Sequence, residues 1–215
     1  MGQFLNDEIK QQLKDEFAKF DKNIEVLYFT KKIDCDLCEP TEGLLNEITE
    51  LTDKISFKIF NFVNDKEEVE KYAIEMTPAI VIKSIDKDYG IRFYGIPAGY
   101  EFTSLFESLR LISLEDADYD TETIEEIKKI DKPVKIKVFV TPSCPYCPGA
   151  VINAHRMAFL NENITAEMIE ASEFQNLSVK YQVQGVPRTI INDDWFIEGA
   201  VPETMLLDKI KEAIQ

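Results

Sequence analysis

The chain repeats itself at a fixed interval, and this limits its fold more than any other feature. Cys35 and Cys144 are 109 residues apart, and so are Cys38 and Cys147, Tyr72 and Tyr181, and Pro78 and Pro187. Upstream, Lys19-Phe20-Asp21-Lys22 aligns with Lys129-Ile130-Asp131-Lys132 at an offset of 110. Downstream, Gly95 aligns with Gly199 at 104, so the first copy carries about five extra residues after its Pro. Such offsets describe one supersecondary unit present twice. The units span residues 1–116 and 117–215, joined in the acidic stretch from Glu115 to Asp120.

Each copy reads as α-β-α-β-α-β-β-α. Ile9, Leu13 and Phe17 recur at helical spacing, as do Ile124, Ile127 and Ile130. The β-branched and aromatic runs Ile24–Phe29 and Val134–Val140 read as strands. A Cys-x-x-Cys follows each, at the start of a predicted helix. Strands are then expected over Phe57–Phe62 and Glu167–Ala171, and again after Pro78 and Pro187. Closing helices are expected over Thr103–Leu111 and Pro202–Ile214. The expected fold class is therefore α/β: two tandem domains, each a central mixed sheet flanked by helices.

Charge excludes one class of partner. Forty acidic against 24 basic residues give a net charge of −16, with no basic stripe to neutralise phosphates, so nucleic acid is not an expected partner. No apolar run approaches the roughly 18 residues of a membrane span. The start, Met1-Gly2-Gln3-Phe4-Leu5-Asn6, lacks the basic and apolar regions of a secretory signal. It also has Asn6 where myristoylation wants Ser or Thr. The expected compartment is the cytoplasm.

All four cysteines fall in Cys35-Asp36-Leu37-Cys38 and Cys144-Pro145-Tyr146-Cys147. In an intracellular chain such pairs mean redox or metal chemistry. Disulfide exchange needs an attacking thiolate and a second thiol close enough to resolve the mixed disulfide. Two intervening residues at a helix start supply that reach. They also place the first sulfur near free backbone N–H groups that favour its thiolate. Pro145 is expected at the first helical position, where its missing N–H costs nothing. The competing reading is a structural zinc site, but zinc knuckles lie about 12–20 residues apart. Here 105 residues separate Cys38 from Cys144. No metal site is expected.

The Cys-x-x-Cys after a strand, the Thr77-Pro78 and Val186-Pro187 before a later strand, and the Gly after the last strand resemble the thioredoxin superfamily over nearly the whole chain, twice. Cys-Pro-Tyr-Cys is the glutaredoxin-type motif. Two such units, with the segment from Asp88 to Phe102, resemble the protein disulfide oxidoreductases of thermophilic archaea and bacteria. The resemblance implies catalytic Cys35, Cys38, Cys144 and Cys147, paired as Cys35–Cys38 and Cys144–Cys147. It implies cis bonds at Thr77-Pro78 and Val186-Pro187, whose preceding residues would pair with a substrate chain as a strand does. It implies disulfide-containing protein substrates, a thioredoxin reductase as reductant, and no cofactor beyond the redox-active disulfides. The alternatives are a dedicated electron carrier between a flavin reductase and a peroxidase, a glutathione-dependent glutaredoxin, and a metal-binding or scaffold protein.

The two sites are not expected to be equal. Asp34, Asp36 and Glu39 crowd Cys35, whereas no acidic residue occurs from Thr141 to Arg156. One carboxylate about 6 Å away through water costs a thiolate about 0.7 kcal/mol. Cys144 is expected to hold the more stable thiolate, and its pair to be the more oxidising. Of the remaining candidates, His155 and Trp195 read as packing residues and Tyr72 and Tyr181 as core. Tyr146 reads as exposed, and Arg188 as a weak candidate for assisting the second site.

Overall fold

The computed structural model describes residues 4–215, so the Met1-Gly2 start lies outside the described residues. The first half contains α1 (Asp7–Phe17), β1 (Ile24–Thr30), α2 (Cys38–Thr49), β2 (Ile55–Asn61), α3 (Lys66–Lys71), β3 (Ala79–Ser84), β4 (Asp88–Tyr94) and α4 (Glu101–Leu114). The second repeats the order with α5 (Thr121–Lys128), β5 (Val134–Val140), α6 (Cys147–Leu160), β6 (Ile164–Glu170), α7 (Gln175–Lys180), β7 (Arg188–Ile191), β8 (Trp195–Glu198) and α8 (Glu203–Ala213). The repeat extends to local detail. Asn6 and Asp120 cap α1 and α5 by accepting from the backbone N–H of Ile9 and Thr123, each at 2.8 Å. Ala73 and Gln182, one residue after the repeated Tyr, both adopt positive φ.

The two sheets are not separate. The strands form one eight-stranded sheet in the order β2-β1-β3-β4-β6-β5-β7-β8. The join is a parallel pairing of β4 with β6, in register from Ile91 opposite Ala166 to Tyr94 opposite Ile169. Each strand is the edge of its own half, and an unpaired edge exposes a row of N–H and C=O groups. Pairing the two edges satisfies both rows. The hairpin β3–β4 is longer than β7–β8, which accounts for the extra residues of the first copy: β4 crosses the middle of a sheet, while β8 ends one.

Burial follows strand alternation. Val26, Tyr28, Ile91, Phe93, Ile136, Val138 and Met168 face a core built with the long helices. Leu27, Phe29, Val81, Tyr94, Phe139 and Ile169 face a smaller core on the other side of the sheet, with Tyr72 and Tyr181. Covered on both faces, the strands read as near-continuous apolar runs.

The pairings also fix direction. β2 runs parallel to β1, β4 and β5 run parallel to β6, and β3 is antiparallel to both β1 and β4. Hence β1, β2, β4, β5 and β6 all point the same way, and the Cys loops after β1 and β5 leave the same edge of the sheet.

Because the seam is buried on both sides, the halves are expected to unfold together. Calorimetry should show one heat-absorption peak, where separable halves would give two. Truncating fully buried Met168 at the seam to Ala should cost about 2–5 kcal/mol and lower that single transition without splitting it.

Candidate redox sites

Both Cys pairs sit where a strand hands over to a helix. Cys35 and Cys38 are joined by a disulfide with Cα atoms 5.4 Å apart, and Cys144 and Cys147 by one with Cα atoms 5.5 Å apart. In each pair the first cysteine is the more accessible. Cys35 is half-buried and Cys38 buried; Cys144 is 8% exposed and Cys147 fully buried. This asymmetry suits attack by the first sulfur and resolution by the second.

The helix begins later than the spacing predicts. Both α2 and α6 start at the second cysteine. Pro145 therefore lies in the preceding turn, and Pro148 occupies the first helical turn, where an N–H would have no intrahelical partner. Cys38 donates its backbone N–H to Cys35 O at 3.3 Å, closing a tight turn across the first motif, whereas at the second the closed turn comes just before the motif, with Cys144 N–H donating to Thr141 O at 3.1 Å.

Thr77-Pro78 and Val186-Pro187 are both cis. Cys144 Sγ lies 3.7 Å from Val186 O, and Thr77 and Pro78 line the same groove as Cys35. Each Pro carbonyl accepts from the repeated glycine, Gly95 N to Pro78 O at 3.0 Å and Gly199 N to Pro187 O at 2.9 Å. One contact belongs to the first site alone: Tyr28 donates its hydroxyl to Cys38 O at 2.6 Å, and the aligned residue Val138 has no hydroxyl.

Each site borrows from the other half. The segment after β4 crosses the seam, where Tyr100 N donates to Pro142 O at 2.9 Å, two residues before Cys144. Gly99 permits this approach, because it has φ +60° and a Cβ there would run into Pro142 O. In the other direction Glu173, after β6, accepts from Ile96 N at 2.6 Å and lines the groove of Cys35. Sequence reasoning missed these contacts, and with them Glu101, Glu170 and Glu173. The one available signal was the first copy's excess length before Gly95.

Burial dominates the charges. Glu101 begins α4, the helix packed on α6, and is completely buried. Its Oε2 accepts from Ser104 at 2.5 Å, while Oε1 has no hydrogen-bond partner among the described residues. Burial pushes it up to about 7, against a small lowering by the Ser104 hydrogen bond. Glu173 is also raised to about 7, by burial first and by the nearby Glu170 charge. His155 is buried against Phe93, with Nδ1 2.8 Å from Ser108 Oγ, and burial lowers it to about 3; it is a packing residue. Arg188 is engaged by Glu198 Oε1 at 2.5 Å and lies 4.1 Å from the centre of the Phe196 ring, so its described contacts lead away from Cys144. Trp195 packs on the core, with the Lys209 amine over its ring. Tyr72 and Tyr181 are buried, and Tyr146 is 72% exposed beside Cys147. Among the described residues no cluster of three or more His, Cys, Asp or Glu is arranged to hold a metal.

Two outcomes are expected. A carboxyl raised in the folded state holds its proton after the unfolded chain has lost it, so folding stability falls as pH climbs from about 4.5 to about 7. Glu101→Gln should therefore stabilise the protein at pH 8 more than at pH 4.5, by on the order of 3 kcal/mol, read from urea midpoints at the two pH values. The second outcome concerns the thiols. In the reduced chain, the alkylation rate of Cys144, followed by mass spectrometry, should rise with a lower pH midpoint than that of Cys35. A lower midpoint for Cys35 would reject the expected order.

Comparison with known proteins agrees with this geometry. A thioredoxin domain matches residues 134–212. The chain is 31% identical over 206 residues to the F component of alkyl hydroperoxide reductase (AhpF) of Pseudomonas aeruginosa, covering 96% of this chain and 37% of that protein. The chain thus spans a little over a third of the length of the curated relatives it matches. The solved structure of AhpF from Enterococcus faecalis, a C503A mutant, superposes with a TM-score of 0.91 at 28% identity, covering 97% of this chain and 100% of that one. A protein disulfide oxidoreductase from Aeropyrum pernix superposes with a TM-score of 0.90 at 28% identity, covering 97% and 93%. With both halves, both sulfur pairs and the joining seam accounted for, this chain is built of two joined thioredoxin folds, each with a Cys-x-x-Cys disulfide, an arrangement similar to that of these proteins.

Proposed function

We propose that the chain is a cytoplasmic protein-disulfide oxidoreductase made of units 1–116 and 117–215, each with its own redox pair. The observation that carries this reading is the repeated juxtaposition of a strand-end disulfide with a cis X–Pro, at Cys35–Cys38 with Thr77-Pro78 and at Cys144–Cys147 with Val186-Pro187. No bound cofactor is needed. The thiolate of the first cysteine attacks one sulfur of a substrate disulfide, and the other substrate sulfur leaves as a thiolate that takes a proton from water. The second cysteine then attacks the first, releasing the remaining substrate thiol. Two electrons pass from the protein dithiol to the substrate. Run backwards, the same steps oxidise a dithiol. A third cysteine in the substrate, attacking the mixed disulfide, gives isomerisation. The residues before each cis-Pro pair with the substrate backbone, and a thioredoxin-reductase-like flavoenzyme restores the dithiols.

A second reading is favoured by the 31% identity to the F component of an alkyl hydroperoxide reductase: a carrier passing electrons from a flavoenzyme to a peroxidase. Insulin-disulfide reduction separates the two. Driven by a dithiol, glutathione or a thioredoxin reductase in turn, the wild type should turn over. The variant Cys144→Ser/Cys147→Ser should lose at least about tenfold, more than Cys35→Ser/Cys38→Ser does. Equal activity of the two variants would sink the assignment of most substrate chemistry to the second site. Negligible insulin reduction, with fast peroxide-dependent turnover once a reductase and a peroxidase are added, would select the carrier. Metal analysis of the reduced protein tests the remaining alternative, a metal-binding scaffold.

A further inference from the structure

The groove at the first disulfide has walls from both halves. Asp34, Cys35, Asp36 and cis Pro78 form one side, and Glu170 and Glu173 the other, around a volume of about 670 Å³. Among the described residues that line it, none is basic. Glu170 is 3% exposed. Its Oε2 accepts from Glu173 N at 2.6 Å, while its Oε1 is buried with no hydrogen-bond partner among the described residues. A buried acceptor without a donor is costly, and more so when it belongs to a charged group. The neighbouring Glu173 has one oxygen committed to Ile96 N.

We propose that this groove is a subsite for a cationic side chain, Lys or Arg, carried by a substrate protein next to the disulfide that Cys35–Cys38 exchanges with. The subsite rests on the reading of the first pair as a protein-disulfide site. A Lys or Arg head group has donors without acceptors, which the orphaned Glu170 oxygen lacks. The aliphatic stem of such a side chain lies along apolar surface, which Phe174 provides at the same wall. Glutathione is the wrong ligand. It carries two carboxylates against one ammonium at neutral pH, and would bring net negative charge among four acidic side chains. The second pair has no acidic neighbour from Thr141 to Arg156, so the preference belongs to the first site.

The test uses the full chain with Cys144→Ser and Cys147→Ser, reduced with dithiothreitol and then freed of it. Two peptides with the same internal disulfide are compared, one with Lys and one with Glu beside a half-cystine. Transfer of two electrons from Cys35 and Cys38 yields the peptide dithiol and the protein disulfide. Each rate is divided by that of free dithiothreitol on the same peptide, which removes intrinsic differences between them. The Lys peptide should be reduced at least about tenfold faster at low ionic strength, equivalent to about 1.4 kcal/mol. The ratio should shrink several-fold near 1 M salt, where the screening length is about 3 Å; this arm needs no change to the groove. It should also shrink in Glu170→Gln and in Glu173→Gln. Equal normalised rates for the two peptides overturn the subsite and leave the disulfide reading standing. A preference untouched by both glutamate variants overturns the contribution of the second half. Failure to reduce either peptide, with circular dichroism unchanged, overturns the reading beneath the subsite and the subsite with it.

Discussion

The pairing of β4 with β6 is the constraint on which the rest of the structure depends. Two copies of a thioredoxin unit on one chain would each end in an open strand edge. Here the two edges satisfy each other in parallel register, and the seam is sealed on both faces by Phe93 and Met168 on one side and Tyr94 and Ile169 on the other. The contrast with β8 shows what the seam demands. β8 is a short edge strand with alternating half-buried and exposed residues, whereas β4 is seven residues long and mostly buried. The copies diverged in length where their environments differ.

The seam also decides what surrounds the sulfurs. Tyr94 and Ile169 are partners in register near the ends of their strands, so the segments that follow emerge together, at the sheet edge where the Cys loops begin. One segment reaches over the second loop through Tyr100 and Pro142, and the other closes over the first through Glu170 and Glu173. Ligand sites of open parallel sheets lie at the carboxyl ends of the strands, and this chain has two such sites along one edge, each completed by the opposite half. Gly99 is the small residue that permits the first of these crossings.

Most of the architecture was legible because it is periodic or duplicated. The 109-residue offset identified both sulfur pairs and both Pro residues, and the apolar runs marked every strand to within a few residues. The strand expected over Phe57–Phe62 is Ile55–Asn61, and the helix expected over Thr103–Leu111 extends to Glu101–Leu114. The helix at each Cys pair begins two residues late, because a tight turn is interposed before the first helical residue. What local pattern could not show is contact between sequence-distant edges. A parallel partner leaves no alternation and no turn signal, so the seam was written only as extra length. Glu101, Glu170 and Glu173 were invisible for the same reason: each sits in an ordinary polar or amphipathic stretch, and becomes unusual only when the other half buries it.

This burial changes the weight of the charges around Cys35. Asp34, Asp36 and Glu39 are exposed, and through water each acts on a thiolate about 6 Å away with about 0.7 kcal/mol. A partly desolvated carboxylate at the same separation, with an effective dielectric near 20, acts with about 2.8 kcal/mol. Glu170 and Glu173 add two more carboxyl groups to the groove of Cys35 from across the seam. At about 30 mV for each 1.4 kcal/mol, a single such group is enough to separate two otherwise identical dithiols by tens of millivolts. Duplication supplied two copies of the sulfur chemistry, and joining their edges gave the copies different neighbours. The seam gives the two pairs different surroundings: Glu170 and Glu173 line the groove of Cys35, while Tyr100 N–H meets Pro142 O two residues before Cys144.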